Sequence, residues 1–248
     1  MYAGSLSASV YQAFKAGNDI VISSTTPNLD DALWTRSYNA VLNDAEFHNK
    51  IRESVIRVLY TKLLYLKNEA SVPLFPDYEN LDKLVPTPGA KDFALEQACR
   101  SVTQLKKEIV PYTPSDNENI LIVGEYQEFL NEGKQRFPHA ETYYISPNKT
   151  TQTSLSEIAY RLNNIDTLIF CVASSETEYI LKSLSYFKGN CIAVSSLAPI
   201  YIKNLKWVKD IIAIYSYAPA SFKAVFAVIK GDFIPQGKMP LKDLQNLN

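Results

Sequence analysis

The chain has 248 residues, with Lys+Arg 25 against Asp+Glu 26, a net charge of -1 and 21% charged residues. So even a balance excludes a surface given over to nucleic acid or anionic membrane, which needs clustered excess Lys and Arg, and a hydrophobic share of 46% excludes wholesale disorder. Three cysteines, Cys99, Cys171 and Cys191, without CxxC spacing, offer neither a disulfide scaffold nor a thiolate zinc site.

The start, Met1 to Ser5, lacks the basic residues and apolar core of a signal peptide. Leu6, Val10 and Phe14 recur at a spacing of four and predict a helix over 6–16, ended by Gly17, which accepts the left-handed conformation past a helix terminus. Asp19-Ile20-Val21-Ile22-Ser23 is a short apolar run suited to a buried parallel strand, with a loop at its C-terminal end over Ser24 to Asn28. Leu33, Trp34, Tyr38, Val41 and Leu42 predict a second helix. A third starts at Asn43, with Glu46 three residues on as its capping partner and an apolar face of Phe47, Ile51, Val55, Val58, Leu59 and Leu66.

Ser71 to Gly89 contains Pro73, Pro76, Pro86 and Pro88, a density that blocks helix and ladder hydrogen bonds, so it is expected as an extended connector. Lys91 to Glu108 reads as a helix. After Pro114 a regular alternation begins. Strands are predicted at Ile120–Val123, Thr142–Ile145, Thr167–Val172, Cys191–Val194 and Ile211–Tyr215, with helices at Gln127–Arg136, Leu155–Leu162, Glu176–Phe187 and Ser221–Lys230. Such alternation implies a doubly wound parallel sheet with helices on both faces. The longest uncharged apolar run, Ile211 to Phe222, is broken by Pro219 and falls short of the roughly 20 residues a membrane span needs.

The first 70 residues thus hold one apolar strand and three helices, and a lone strand leaves its backbone groups unpaired. They read as a piece of a larger sheet-containing domain.

Four segments, in order, resemble glycoside hydrolase family 3. Ala16-Gly17-Asn18-Asp19-Ile20-Val21-Ile22 is similar to the "AGxD" step into the last strand of that family's (β/α)8 barrel. Glu53-Ser54-Val55-Ile56-Arg57-Val58-Leu59 with Lys62 resembles the "SVxRIL…K" helix that closes it. Ser101-Val102-Thr103-Gln104-Leu105-Lys106 resembles the "S-x-T-L-L-K" helix entering the second domain. Tyr215-Ser216-Tyr217, Ala224, Gly231 and Pro235-x-Gly237-Lys238-x-Pro240 resemble that domain's end.

The resemblance implies an α/β chain: the last βα unit of a (β/α)8 barrel over 1–70, a linker over 71–90, and a doubly wound α/β sandwich domain over 91–248. It implies retaining hydrolysis of O-glycosyl bonds in a β-linked, N-acetylated sugar, as in two-domain β-N-acetylhexosaminidases. By the same register Met1 matches the end of the family's "(S/T)D-x-L-x-M" nucleophile motif. No catalytic residue is therefore assigned within the chain, which is expected to be inactive alone. The implied partners are a carbohydrate substrate and the missing barrel half. An alternative is a non-enzymatic sugar-binding or assembly module docking on a separate barrel half. No cofactor, metal, nucleic acid or membrane span is implied, and the compartment is left open.

At the mouth of the inferred barrel strand, Ser23 and Ser24 are the expected substrate-binding residues, because barrel sites gather at strand C-terminal ends. Asp19, at the opposite end, is expected to be structural. Glu125, Glu176 and Glu178 sit past strand ends, where doubly wound domains place ligands. Ser175 with Glu178 has capping-box spacing and acids suit a helix N-terminus, so a structural role is favoured over catalysis there. His48 and His139 are isolated and lack metal-ligand spacing. Gly124 stands without the GxGxxG that would cradle a pyrophosphate. Asn148-Lys149-Thr150 fits a glycosylation sequon, a match frequent by chance.

Overall fold

In the computed structural model, which describes residues 5–23, 28–67, 77–203 and 205–244, the alternation after Pro114 builds a six-stranded sheet in the order β1-β6-β5-β4-β2-β3. Its strands are β1 (Thr103–Lys106), β2 (Ile120–Gly124), β3 (Glu141–Tyr144), β4 (Thr167–Val172), β5 (Asn190–Ser195) and β6 (Asp210–Ala213). β2 to β6 run parallel, and β1 pairs antiparallel with β6. The chain forms two units, Met1–Asp82 and Lys83–Asn248, and the whole sheet lies in the second.

The central strands are apolar at consecutive positions because helices cover both faces. On one face Ile122, Ile169, Val194 and Ile212 pack with Phe129 of α6 (Gln127–Arg136) and with Phe222 and Phe226 of α9 (Pro219–Lys230). On the other, Leu121, Val123, Phe170 and Ala193 pack with Ile158 of α7 (Thr151–Arg161) and with Ile180 and Leu181 of α8 (Ser175–Ser183). The assignment of odd and even residues to opposite faces follows from the two-residue period of a strand. Gly133 lets α6 lie close to the sheet: a Cβ there would sit 2.7 Å from both Ile122 Cδ1 and Phe226 Cζ.

The stretch 91–108 differs from the expected helix, and so from the helix that the family-like segment 101–106 implies. α5 (Ala90–Ser101) ends at Val102, whose φ of -54° and ψ of 124° leave the helical region. Beyond it β1 covers the free edge of β6, with Thr103 buried. A strand edge needing a partner outweighs the helical reading of the local sequence, since each unpaired ladder group carries a desolvation penalty. The α8 cap is also displaced by one residue. Ser174, not Ser175, is the N-cap, in a reciprocal box with Thr177, and Glu178 pairs with Lys182 instead.

In the first unit, α1 (Leu6–Lys15), α2 (Ala32–Asn43) and α3 (Ala45–Leu66) match the predicted helices. α3 is capped by Asp44 rather than Asn43: one carboxylate oxygen accepts from the backbone N–H of Glu46 and of Phe47, both at 3.0 Å. Residues 19–23 belong to no strand, contrary to expectation, and the first unit contains none among the described residues. A β-segment is defined by its neighbours, and here none pairs with it. Ile22 is 94% exposed. The barrel unit expected over 1–70 is correspondingly not displayed as strand plus helix. Residues 71–76 of the expected connector lie outside the described residues. Its remainder is not extended: Asp77 caps a 3-10 turn at Tyr78–Asn80, followed by the short helix α4 (Leu81–Leu84).

Candidate functional site

From β2 the chain moves to β3 on one side, then crosses back to β4 on the other. This is the switch point of a doubly wound sheet, where loops diverge and open a crevice beyond the strand C-terminal ends. A cleft of about 470 Å³ opens there, with Glu125, Tyr144, Ser146, Lys149, Thr150, Ser154 and Glu176 among its walls.

Glu125 follows β2 directly and is half-buried. Burial pushes its carboxyl up from the usual range, and the nearby Glu176 charge adds to this, against hydrogen bonds from Tyr126 and Ser174. Ser174 Oγ donates to Glu125 Oε2 at 3.5 Å. Glu176 lies exposed in the first turn of α8, where the helix dipole favours a negative charge. Glu178 gives its carboxylate to Lys182 at 2.5 Å. The structural role expected for these glutamates therefore fits Glu176 and Glu178. It does not fit Glu125, which precedes its helix and caps nothing.

Lys149 brings a cation to the cleft rim but is committed. Its Nζ donates to the two Glu157 oxygens at 2.9 and 2.7 Å and lies 5.7 Å from the centre of the Tyr143 ring. Ser154, one turn before Ile158 on the inner side of α7, is 1% exposed, and its hydroxyl lies toward the phenol of Tyr143, which itself donates to Glu157 at 3.0 Å. Tyr144 ends β3 with 41% of its surface free and forms an aromatic wall. Sequence reasoning singled out neither residue. For Ser154 the one trace was a hydroxyl placed four residues before Ile158 in an apolar helical stripe.

Farther along the same sheet end, Tyr126 stacks on Tyr217, with ring centres 5.7 Å apart and planes at 11°. Burial, reinforced by the Glu125 charge, pushes the Tyr126 phenol up to about 12. Tyr215 takes a left-handed backbone at φ 56°, uncommon for a residue with a side chain, and its hydroxyl donates to Thr103 Oγ1 at 2.9 Å.

The remaining candidates have structural explanations. A Cβ at Gly124 would meet Phe129 at 3.0 Å and Cys171 at 3.1 Å, so this glycine serves helix packing. His48 Nδ1 lies 3.3 Å from the Val41 carbonyl oxygen, and His139 lines a shallow surface depression with Arg136 and Lys230. Burial pushes the Cys171 thiol up to about 12 and that of Cys191 upward as well, the opposite of an activated nucleophile. Among the described residues no group of three or more His, Cys, Asp or Glu could hold a metal ion, and no helix is long and apolar enough to cross a membrane.

In the first unit Ser23 borders a groove of about 330 Å³ whose other walls, including Val10, Phe14, Leu33 and Trp34, are mainly apolar. Ser24 lies outside the described residues. Asp19 is held by Arg57 at 2.8 and 2.9 Å and by Ser54 at 2.7 Å, and these donors, the Arg57 guanidinium first, bring its carboxyl down to about 2. Its role is structural, as expected.

No family model matches the chain, and no curated protein matches its sequence. Solved structures do share its architecture. A glycoside hydrolase family 3 β-N-acetylglucosaminidase from Paenibacillus sp. superimposes with a TM-score of 0.68 at 18% identity, covering 96% of this chain and 48% of that one. A fungal multi-domain family 3 β-N-acetylglucosaminidase gives 0.62 at 17% identity, covering 94% of this chain and 28% of that one. The β-glucoside phosphorylase BglX gives 0.57 at 16% identity, covering 97% and 46%. The chain thus has a family 3-like fold, an α/β architecture around a mostly parallel six-stranded sheet, and spans less than half the length of each of these proteins.

Proposed function

We propose that this chain is the sandwich-bearing part of a retaining glycoside hydrolase of family 3, of β-N-acetylhexosaminidase type, hydrolysing O-glycosyl bonds. The observation that carries the reading is the architecture shared with the Paenibacillus β-N-acetylglucosaminidase over 96% of this chain. The order of the four family-like segments supports it independently. Retaining hydrolysis needs one carboxylate to attack the anomeric carbon and a second group to pass protons. The reading assigns the attacking carboxylate to no residue of this chain. It offers Ser23 and Ser24 to a bound sugar, in keeping with their place after the segment that resembles the last barrel strand.

The test is turnover of an aryl β-N-acetylglucosaminide by the purified chain, alone and mixed with a separately expressed family 3 barrel half. The expected result is no hydrolysis by the chain alone and hydrolysis on mixing. Hydrolysis by the chain alone that survives Glu125→Gln, Glu176→Gln and Glu178→Gln in turn overturns the incompleteness. A mixture that hydrolyses an aryl β-glucoside but not the N-acetylated substrate overturns the sugar assignment.

A further inference from the structure

We infer that α3 carries, on the side turned away from its own unit's core, an antiparallel pairing surface for a second copy of this chain, with Ile56, Leu59, Leu63 and Leu66 as its seam. The inference goes beyond the hydrolase reading and does not rest on it.

A helix turns by about 100° per residue, which puts Phe47, Ile51, Ser54 and Val58 on one side of α3. Phe47 and Ser54 are buried there, and Ile51 and Val58 partly so. Ile56, Leu59, Leu63 and Leu66 fall on the other side and are 51–55% exposed. A surface helix needs one apolar stripe, whereas a helix that is apolar all round is a buried one. The second half of α3 has the greater need of cover, because every residue from Leu59 to Leu66 is exposed. So short a run of helix gains its stability from packing rather than from propensity.

The spacing points to another helix as the cover. The four seam residues are three, four and three apart, the a and d positions of two heptads, by which helices grip one another. Two copies offer each other the same seam, and a two-fold pairing closes on itself. In the antiparallel register Ile56 meets Leu66 of the second copy, and Leu59 meets Leu63.

The flanking charges choose between the two directions, as e and g positions do in coiled coils. Antiparallel pairing brings Glu53 beside Lys67 of the second copy, twice per dimer. Parallel pairing would set Lys62 against Lys67 twice. Glu53 has only a long contact of 3.8 Å with Arg57 in its own helix. Lys62 meets its own copy near the two-fold axis, at the edge, where its long stem keeps the ammonium in water.

The area suffices. Val55 and Tyr60 flank the seam and are 49% and 66% exposed. Six side chains of this size, about half exposed, offer roughly 600–700 Å² per copy, and the charged rim brings this near the standard share of about 800 Å² per partner.

The experiment is sedimentation equilibrium of the full chain between about 1 and 100 µM, a range that spans the affinities of small interfaces. A mass twice the 27.9 kDa of the chain is expected at the upper end. Leu59→Gln/Leu63→Gln is expected to be monomeric throughout. Glu53→Lys is expected to weaken dimerisation roughly tenfold, from two exposed pairs turned repulsive, and Glu53→Lys/Lys67→Glu to restore it. Both charged positions are exposed, so they carry the test if the leucine variant loses helix. A monomer up to about 100 µM, a dimer unmoved by the leucine variant, or a double reversal no tighter than Glu53→Lys overturns the inference. Mass and turnover are read separately. A dimer whose mixture with a barrel half hydrolyses nothing keeps the inference and removes the hydrolase reading, and a monomer that gains hydrolysis on mixing does the reverse.

Discussion

Replacing Asp210 by alanine probes the point where the antiparallel edge is fastened to the parallel sheet. This residue opens β6 with its side chain fully buried. One carboxylate oxygen accepts from the N–H of Glu108 at 3.2 Å, from that of Val110 at 3.3 Å and from Gln104 Nε2 at 3.3 Å, and the other accepts from the N–H of Ile109 at 2.8 Å. Three successive backbone donors thus converge on one anion, so the carboxylate fixes the turn that follows β1.

In Asp210→Ala those donors lose their acceptor inside the protein. A buried donor left unpaired costs about 1–3 kcal/mol, and hydrogen bonds to a charged group are worth about 1.5–3 kcal/mol each. The losses are not additive, because the 108–110 turn relaxes and admits water. The expected total is about 3–5 kcal/mol, as for a buried hydrogen-bond network that leaves more than one neutral donor unpaired, against a typical domain stability of about 5–15 kcal/mol. Asp210→Asn keeps one acceptor oxygen but turns an NH₂ toward donors, so about 1–3 kcal/mol is expected. Urea titration followed by circular dichroism reads both, as a fall in midpoint with the slope held constant. A loss under about 1 kcal/mol for Asp210→Ala, with the slope unchanged, would refute the reasoning.

Glu118 accepts from Tyr112 and from Thr167 at 2.5 and 2.6 Å; burial raises its carboxyl, but the hydroxyls of Thr167 and Tyr112 and the Ser115 N–H together outweigh it and hold the group below its ordinary value. A depressed folded value stabilises above the unfolded carboxylate range and is lost as pH falls through it, so the stability difference between the parent and Glu118→Gln should shrink below about pH 4.5; an unchanged difference down to pH 3 would count against it. Gly133→Ala puts a methyl 2.7 Å from Ile122 and Phe226; overpacking of about 1–3 kcal/mol exceeds the helix-propensity gain of about 1 kcal/mol, so the thermal midpoint should fall, and a rise would contradict the packing. Alkylation of the native protein should label Cys99 ahead of Cys171 and Cys191, which are fully buried with raised thiols; equal labelling before unfolding would contradict that burial.

The strands of the sandwich were legible because each is an apolar run bounded by turn residues and buried on both faces. Thr167–Val172 was read to the residue, and the others shifted by one or two positions. Glu125 and Glu176 were legible as cleft residues for a topological reason: they follow strand ends, and strand ends are where loops diverge. The contribution of Ser154 and Tyr144 was not legible. Whether a hydroxyl on an inner helical face finds a partner depends on which side chains the sheet brings opposite it, and a single sequence does not carry that geometry.

The two strand errors have one cause, with opposite signs. Thr103–Lys106 was read as helix because its residues permit one, yet it is a strand, since β6 presents an unpaired edge on the side away from β5. Residues 19–23 were read as strand because Ile20, Val21 and Ile22 favour one, yet they join no ladder, since no described residue of the first unit offers an edge. β-structure is a property of pairs, and a local pattern states only one member's willingness. For 19–23 this yields a last prediction. If a barrel half supplies the missing neighbour, the amides of residues 20–22 should gain protection from hydrogen exchange on mixing, by about two orders of magnitude or more for a paired strand. Protection unchanged by a half that restores hydrolysis would mean that the segment contributes no ladder, and that the likeness to a final barrel strand is one of sequence alone.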